Sequence, residues 1–419
     1  MSLWANELLH KVHELCQAGC TLFRRCSKTN GVGRGAFGRA ADVACEPKRA
    51  CSAEVFVVDA CRCARFVNVY DAELLSESAR SRVFRGVVAR GSLAGLPCVY
   101  KEFSGSAAYL RHHDALLSAL ERAQANAGGG WRGAISGLPR MYGHALVTLP
   151  DATELLCCSY AWVEGTSLAR VLVDGGASEA RRVLRAHPAN ALSLAAAIAR
   201  AVAAMHDALP GQVLVHQDIK PSNIVVSPLF AMPVKGPAAV SPPLATPAAW
   251  DCTLIDIDLA YAVPAADGVS GELAAFGRAA TVRDSMVREV FCPVPHGTPG
   301  YAAPECVADE STSGPVGVAP GPASSSDVFS LAVVIHELLA GTLPYSASQP
   351  EPGSSAQAWA GFLQAAEQPI ALDPNLAPEV SELLASALSF DPSARPAARV
   401  LAEGLERTAR CCARVLASE

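Results

Sequence analysis

Lysine is scarce in this chain. Only six of its 34 basic residues are Lys (Lys11, Lys28, Lys48, Lys101, Lys220 and Lys235), leaving 28 Arg in a background rich in Ala, Gly and Pro. The bias has the look of GC-rich codons, and wherever Lys survives it is fair to ask whether Arg would fail there. Charge and aromatics are also thin, at 18% and 6% of residues, with a formal net charge of −6. An acidic balance excludes a basic nucleic-acid binder on bulk electrostatics, so no direct nucleic-acid partner is expected. A hydrophobic share of 51% excludes wholesale disorder. The length of 419 residues leaves room for two or three compact units at roughly 100–200 residues each.

Uninterrupted apolar runs are missing as well. The N-terminal stretch MSLWANELLHKVHELC carries Glu7, Lys11 and Glu14 inside its apolar pattern, which a signal peptide would not tolerate. Leu8, Val12 and Leu15 fall instead at helical spacing and predict an amphipathic helix. The most apolar long stretch, 191–209, is broken by Arg200 and Asp207 and is Ala-rich, so it reads as a buried helix rather than a membrane span. Fifteen cysteines without a secretory leader are expected to be free thiols in an intracellular protein. His10, His13, Cys16 and Cys20 could share a helix face as metal ligands, yet no pair of CxxC knuckles accompanies them.

What is present divides the chain. Residues 1–28 read as a helical extension. A Gly-rich stretch at 31–38 precedes segments of strand character: EVFVVDAC, RFVNVY, VFRGVVAR and LPCVYKEF. A helical run, YLRHHDALLSALERAQ, ends in Gly128-Gly129-Gly130, and one more strand, LLCCSYAW, precedes a mostly helical remainder. Pro- and Ala-rich residues 227–248 and Ser-, Gly- and Pro-rich residues 310–326 read as insertions. A strand-rich front and a helix-rich back predict an α+β chain of two lobes.

The segment richest in chemistry is Val215-His216-Gln217-Asp218-Ile219-Lys220-Pro221-Ser222-Asn223. Asp218 and Asn223 stand five apart, a spacing that resembles the kinase catalytic loop, where a carboxylate accepts the substrate hydroxyl's hydrogen bond and a downstream amide oxygen helps hold a metal ion. Lys220 can place a cation where charge develops in phosphoryl transfer. Further on come Leu254-Ile255-Asp256-Ile257-Asp258-Leu259-Ala260, then His296 to Glu305 (HGTPGYAAPE), Asp327 to Leu331 (DVFSL) and Asp391 to Pro396 (DPSARP).

In this order the motifs resemble those of the eukaryotic-type serine/threonine protein kinases. The resemblance implies a bilobal fold, a β-rich N-lobe over 29–163 with one main helix and an insertion near 45–85, and a helical C-lobe over 164–419 with insertions near 227–248, 260–290 and 310–326. It implies ATP and Mg²⁺ as cofactors and proteins as substrates. Asp218, Lys220 and Asn223 take the catalytic positions, and Asn223 and Asp256 the metal positions. Lys101, closing the apolar strand Val99-Tyr100-Lys101, matches the lysine that pairs the α- and β-phosphates, where ammonium and guanidinium are not interchangeable. Glu305 is implied to pair with Arg395, and Asp327 to anchor the catalytic loop from a buried helix. Tyr160 to Gly165 resembles the hinge that holds adenine, with Ala161 and Val163 as contacts. Thr298 is expected to hydrogen-bond around Asp218 and Lys220.

The front half matches less closely. Gly33-Arg34-Gly35-Ala36-Phe37-Gly38 fits the Gly-rich loop whose backbone N–H groups cover phosphates, but 63 residues separate Gly38 from Lys101. Either an insertion fills the gap, or the phosphate loop lies nearer Lys101 and Gly33–Gly38 is a linker. The helix acid that would pair with Lys101 is Asp114 or Glu121, with Asp114 preferred for its place before Leu116, Leu117 and Leu120. Gln217 stands where regulated kinases carry an Arg that binds an activation-segment phosphate, and Val294 stands where the phosphorylated Ser or Thr commonly falls. Together they predict activity without phosphorylation there. Asp258 and Ile257 replace the Gly and Phe that usually follow and accompany the metal-binding Asp.

Two other classes compete with an active protein kinase: a catalytically weak pseudokinase acting as an interaction scaffold, and a small-molecule phosphotransferase on the same fold. The retained Lys101, Asp218, Asn223 and Asp256 speak against the first, and the segments closing at Glu305 and Leu331 against the second. The Gln217 variant, the irregular spacings and the compositional bias resemble the kinases encoded by herpesviruses. That resemblance implies action on viral and host proteins, a place in the host nucleus and cytoplasm, and packaging in the virion tegument. A divergent cellular kinase from a GC-rich genome is the competing source.

Overall fold

The computed structural model describes residues 69–78, 81–88, 93–126, 135–148, 154–173, 178–187, 189–229, 247–264, 297–307, 323–345, 350, 355, 358 and 372–418. The N-terminal helix, the glycines of 33–38, Val294, His296 and most of the three later insertions fall outside these residues. The described residues form two compact units, one ending at Glu121 and adding Arg140–Trp162, the other comprising Arg122–Pro139 and the chain from Val163.

The first unit is a five-stranded sheet with one long helix, α1 (Ala107–Asn126). Its strands are β1 (Val69–Glu77), β2 (Ser81–Val88), β3 (Pro97–Phe103), β4 (Met141–Thr148) and β5 (Glu154–Ala161), in the order β1-β2-β3-β5-β4 with every neighbouring pair antiparallel. Alternation along β3 explains its two faces. Cys98 and Tyr100 point into an apolar cluster with Phe84, Val88, Leu93, Leu155 and Cys157. Lys101 and Phe103 have different neighbours. The Phe103 ring lies edge-on to His113 of α1, with centroids 5.0 Å apart. Tyr109, Leu110, Leu116, Leu117 and Leu120 of the helix are buried.

The second unit is mainly helical. It contains β6 (Thr166–Ser167), α2 (Leu168–Val173), α3 (Glu179–Ala186), α4 (Ala189–His206), β7 (Gln212–Val215), β8 (Ile224–Leu229), β9 (Ala249–Leu254), β10 (Tyr261–Pro264), α5 (Pro304–Val307), α6 (Ser324–Ala340), α7 (Pro378–Ala387) and α8 (Ala398–Ser418). The Ala-rich sequence of α4 gives a smooth surface that packs against α8, β9 and α6. Among the described residues this is the one helix long and apolar enough to cross a membrane, and most of it is buried in the protein, as a core helix is. Gly137, at φ +81°, lies so close to this helix that a Cβ there would meet the Ala201 carbonyl oxygen at 2.6 Å. Two antiparallel pairs, β7 with β10 and β8 with β9, bring the chemistry-bearing loops together. All seven cysteines among the described residues are free thiols.

Candidate active site

The loop from His216 to Asn223 leaves β7 and enters β8 through a single 3₁₀ turn at Pro221–Asn223. Its shape is set from α6. Asp327, 1% exposed in the first turn of that helix, accepts the backbone N–H of His216 at 2.8 Å and of Gln217 at 2.9 Å. The same carboxylate lies 3.0 Å from His206 Nε2 at the end of α4. A buried carboxylate satisfied by three donors is a strong local constraint. It holds Gln217 at φ +69°, a left-handed conformation that costs a non-glycine residue of order 1 kcal/mol. Only Asp256, at φ +67°, shares this feature among the described non-glycine residues.

Asp218 is the hub of the loop. Its Oδ1 accepts the Thr298 hydroxyl at 2.6 Å. Its Oδ2 accepts Lys220 Nζ at 2.7 Å and Asn223 Nδ2 at 3.2 Å, and its backbone carbonyl accepts the same Asn223 amide at 3.0 Å. Lys220 also donates to the Thr298 oxygen at 2.8 Å, so Thr298 bonds both groups as its sequence position predicts. With Asn223 Nδ2 committed to Asp218, the amide oxygen, which accepts only a long 3.5 Å bond from the Ser222 hydroxyl, is the atom that can face a cation. Gly297, φ +82°, lets this segment come close: a Cβ there would meet Ala302 Cβ at 3.1 Å and the Gln217 carbonyl oxygen at 3.2 Å.

Asp256 follows β9 and precedes a short 3₁₀ turn at Ile257–Leu259. The Ile255 N–H donates to the Asn223 carbonyl at 2.9 Å, which sets the two oxygen-bearing side chains on adjoining backbone. Two carbonyls flanking Asp256 are held by consecutive side chains of the catalytic loop. His216 Nδ1 accepts the Asp218 N–H at 3.3 Å, so its proton sits on Nε2 and is donated to the Ile255 carbonyl at 3.1 Å. The Gln217 amide donates to the Leu259 carbonyl at 2.6 Å.

The segment after Gly297 is fixed by a buried ion pair. Arg395 donates from both terminal nitrogens to Glu305, at 2.6 and 2.9 Å, and from Nε to the Ser389 carbonyl at 2.7 Å. The Ser326 hydroxyl adds a bond to Glu305 at 2.8 Å. The Glu305–Arg395 pairing implied by resemblance is therefore present, and Ser326 and His206 are supports that sequence reading missed. Tyr301 donates to Glu337 at 2.7 Å. Burial raises the pKa of both groups, keeping the phenol protonated.

In the first unit Lys101 is 6% exposed, with its ammonium 5.2 Å from the Phe103 ring centroid. Asp114 and Glu121, the two acids considered for Lys101, both face His144 of β4, at 3.6 Å from Nε2 and 3.2 Å from Nδ1. Ser118, between them on the helix, lies 3.0 Å from the same imidazole. His113 of α1 lies close enough to Lys101 for the ammonium to disfavour its protonation. It is fully buried, stacked on Tyr109, and without a hydrogen bond at either ring nitrogen among the described residues. Of the expected adenine contacts, Ala161 donates its N–H to the Arg140 carbonyl at 2.7 Å, and the intervening Trp162 donates to Pro97 at 3.1 Å. Val163 N–H has no backbone partner among the described residues.

The donor set suits a hard divalent cation: a carboxylate on Asp256 and an amide oxygen on Asn223, with neither thiolate nor imidazole between them. It suits Mg²⁺ better than a softer metal. Among the described residues no group of three or more His, Cys, Asp or Glu is arranged as a separate metal centre.

Known proteins supply one comparison. A protein kinase domain family model matches residues 264–404, about a third of the chain. The match includes Thr298, Glu305, Asp327 and Arg395 and stops short of Lys101, Asp218, Asn223 and Asp256. No curated protein matches the chain. The family match supports a protein kinase, and with it phosphotransfer to proteins.

Proposed function

We propose that the chain is an ATP-dependent protein serine/threonine kinase. The observation carrying this reading is the network in which one carboxylate, Asp218, is hydrogen-bonded to Lys220, Thr298 and Asn223 beside the strand that delivers Asp256. Bound Mg²⁺-ATP would supply the transferable phosphoryl group and the cation that neutralises it. Asn223 and Asp256 would hold the metal, Lys101 the α- and β-phosphates, and Val163 the adenine. The phosphate-covering role of Gly33, Arg34, Gly35, Ala36, Phe37 and Gly38 rests on their sequence alone.

In the proposed reaction the substrate hydroxyl oxygen bonds to the γ-phosphorus while the bond from that phosphorus to its bridging oxygen breaks. Asp218 accepts the hydroxyl proton, and ADP leaves with the bridging oxygen. Lys220 lies 2.7 Å from Asp218, where its charge offsets the negative charge spreading over the transferred group. Lys220-Pro221 and Gly297-Thr298-Pro299 favour Ser and Thr over Tyr as acceptors, by resemblance. The two-lobed division at 163/164 belongs to the same proposal, as do a herpesviral source and a place in the host nucleus, cytoplasm and virion tegument, all supported by sequence pattern.

The test is phosphate transfer from Mg²⁺-ATP to generic protein substrates by wild type, Lys101→Ala and Asp218→Asn. Loss of general base assistance predicts a fall of roughly 10²–10⁴-fold in kcat for Asp218→Asn. Equal incorporation by all three would refute the assignment. Nucleotide binding by the wild type without turnover would favour the scaffold, a reading motivated by Asp258 and Gln217.

A further inference from the structure

We propose that Gln217 is a positioning residue for Asp256. This rests on the kinase reading and adds a role that neither the catalytic loop motif nor the family match assigns.

The argument begins with the backbone. Gln217 and Asp256 both occupy left-handed conformations that side chains other than glycine rarely adopt. Each would relax toward common φ values unless its surroundings held it. Gln217 is held by Asp327 through its own N–H. Asp256 caps the 3₁₀ turn Ile257–Leu259 and uses no side-chain cap bond in doing so. The turn is closed by its own Ala260 N–H bond to the Ile257 carbonyl at 3.0 Å, and it is tied to the catalytic loop by the bond from Gln217 Nε2 to the Leu259 carbonyl, at 2.6 Å. A carbonyl oxygen only accepts, so the amide nitrogen, not the amide oxygen, must face it. Gln217 is 6% exposed, and a hydrogen bond in such dry surroundings is not exchanged for one with water.

Position does the rest. His216 grips the chain just before Asp256, at Ile255, and Gln217 grips it just after the turn, at Leu259. Two consecutive side chains, both fixed through their backbone by Asp327, bracket the carboxylate that would meet the metal. Leu259 also leads into β10, whose Tyr261 pairs with Val215, so the tether closes a loop already fastened at both ends. The tether is neutral and needs no added phosphate.

The experiment uses the full chain with Gln217→Leu, which removes the donor, and Gln217→Glu, which keeps the shape. Two readouts are taken. The first is amide hydrogen exchange over 254–263 in protein without nucleotide or metal. The second is kcat and KM for Mg²⁺-ATP and for a protein substrate. Expected for Gln217→Leu are faster exchange confined to that segment and a fall of roughly 10- to 100-fold in kcat, the cost of a small misplacement, with KM for the protein substrate unchanged. In Gln217→Glu the ionised carboxylate would face a carbonyl oxygen, acceptor against acceptor, whereas its protonated form can donate. Activity relative to wild type should therefore rise as pH falls. Wild-type exchange and wild-type kcat in Gln217→Leu would overturn the proposal, as would a pH-independent ratio for Gln217→Glu. If Gln217→Leu does not fold, the isosteric Gln217→Glu decides. Should wild type transfer no phosphate, the kinase reading fails, and the exchange arm still decides whether the tether exists.

Discussion

His113 offers the sharpest test of how the first unit is held together. Its imidazole is fully buried between the Tyr109 and Phe103 rings, at centroid distances of 5.7 and 5.0 Å, and neither nitrogen has a hydrogen-bond partner among the described residues. Burial, with the nearby charges of His112, Lys101 and His144, pushes its pKa from 6.5 to about 3. The folded state thus takes up this proton far less readily than the unfolded chain. Stability from this group is complete above pH 6.5 and is lost as pH falls toward about 3. At about 1.4 kcal/mol per pH unit, the ceiling over that window is ~5 kcal/mol, and the share already lost at pH 5 is ~2 kcal/mol. His113→Phe keeps a flat ring in the stack and has no proton to gain. Urea unfolding of wild type and variant is compared at pH 7.5 and pH 5, with hydrogen exchange over β3 and α1 identifying the transition of this unit. The wild type should lose ~2 kcal/mol more than the variant across that interval, a midpoint shift of about 1 M urea. Parallel losses in the two proteins would refute the reasoning, because they would place the acid sensitivity elsewhere.

Other expectations follow from the second unit. Arg395→Ala leaves Glu305 buried without its two-pronged partner, and unfolding should become easier by about 3–5 kcal/mol. Urea denaturation measures this, and a loss below about 1 kcal/mol would show that the pair is solvated. Glu305→Gln combined with Arg395→Ala should cost less than the two single losses added together, because the pair acts as a unit. Thr298→Ala removes the hydroxyl that joins Lys220 to Asp218 and should lower kcat by roughly ten-fold, as loss of one hydrogen bond to a charged group would. Thr298→Ser keeps that hydroxyl and should hold kcat near the wild-type value, so equal defects in the two variants would separate Thr298 from the chemistry.

Legibility in the sequence followed the range of the interaction. β2, β3, β5 and α1 were readable because alternation and helical periodicity are local, and Asp218, Lys220 and Asn223 because one short loop carries them all. Among contacts that join distant segments, the Asp327 anchor and the Glu305–Arg395 pair were implied by resemblance, whereas the Gln217 bond to Leu259, spanning 42 positions, was not readable from residue types. The acids of α1 show how the seating of a helix decides which groups its side chains meet. Asp114 and Glu121 stand seven residues apart, two helical turns, so they lie on one face of α1. Below that face, Lys101 of β3 pairs with Cys158 of β5, and Cys158 with His144 of β4. Lys101 and His144 therefore stand on one cross-sheet row, two strand spacings or ~10 Å apart. A helix laid over this row has two basic groups to choose from, and its sequence is the same whichever one its acids meet. The choice is made by where the helix sits along the row, through contacts such as Phe103 with His113 and Ser118 with His144.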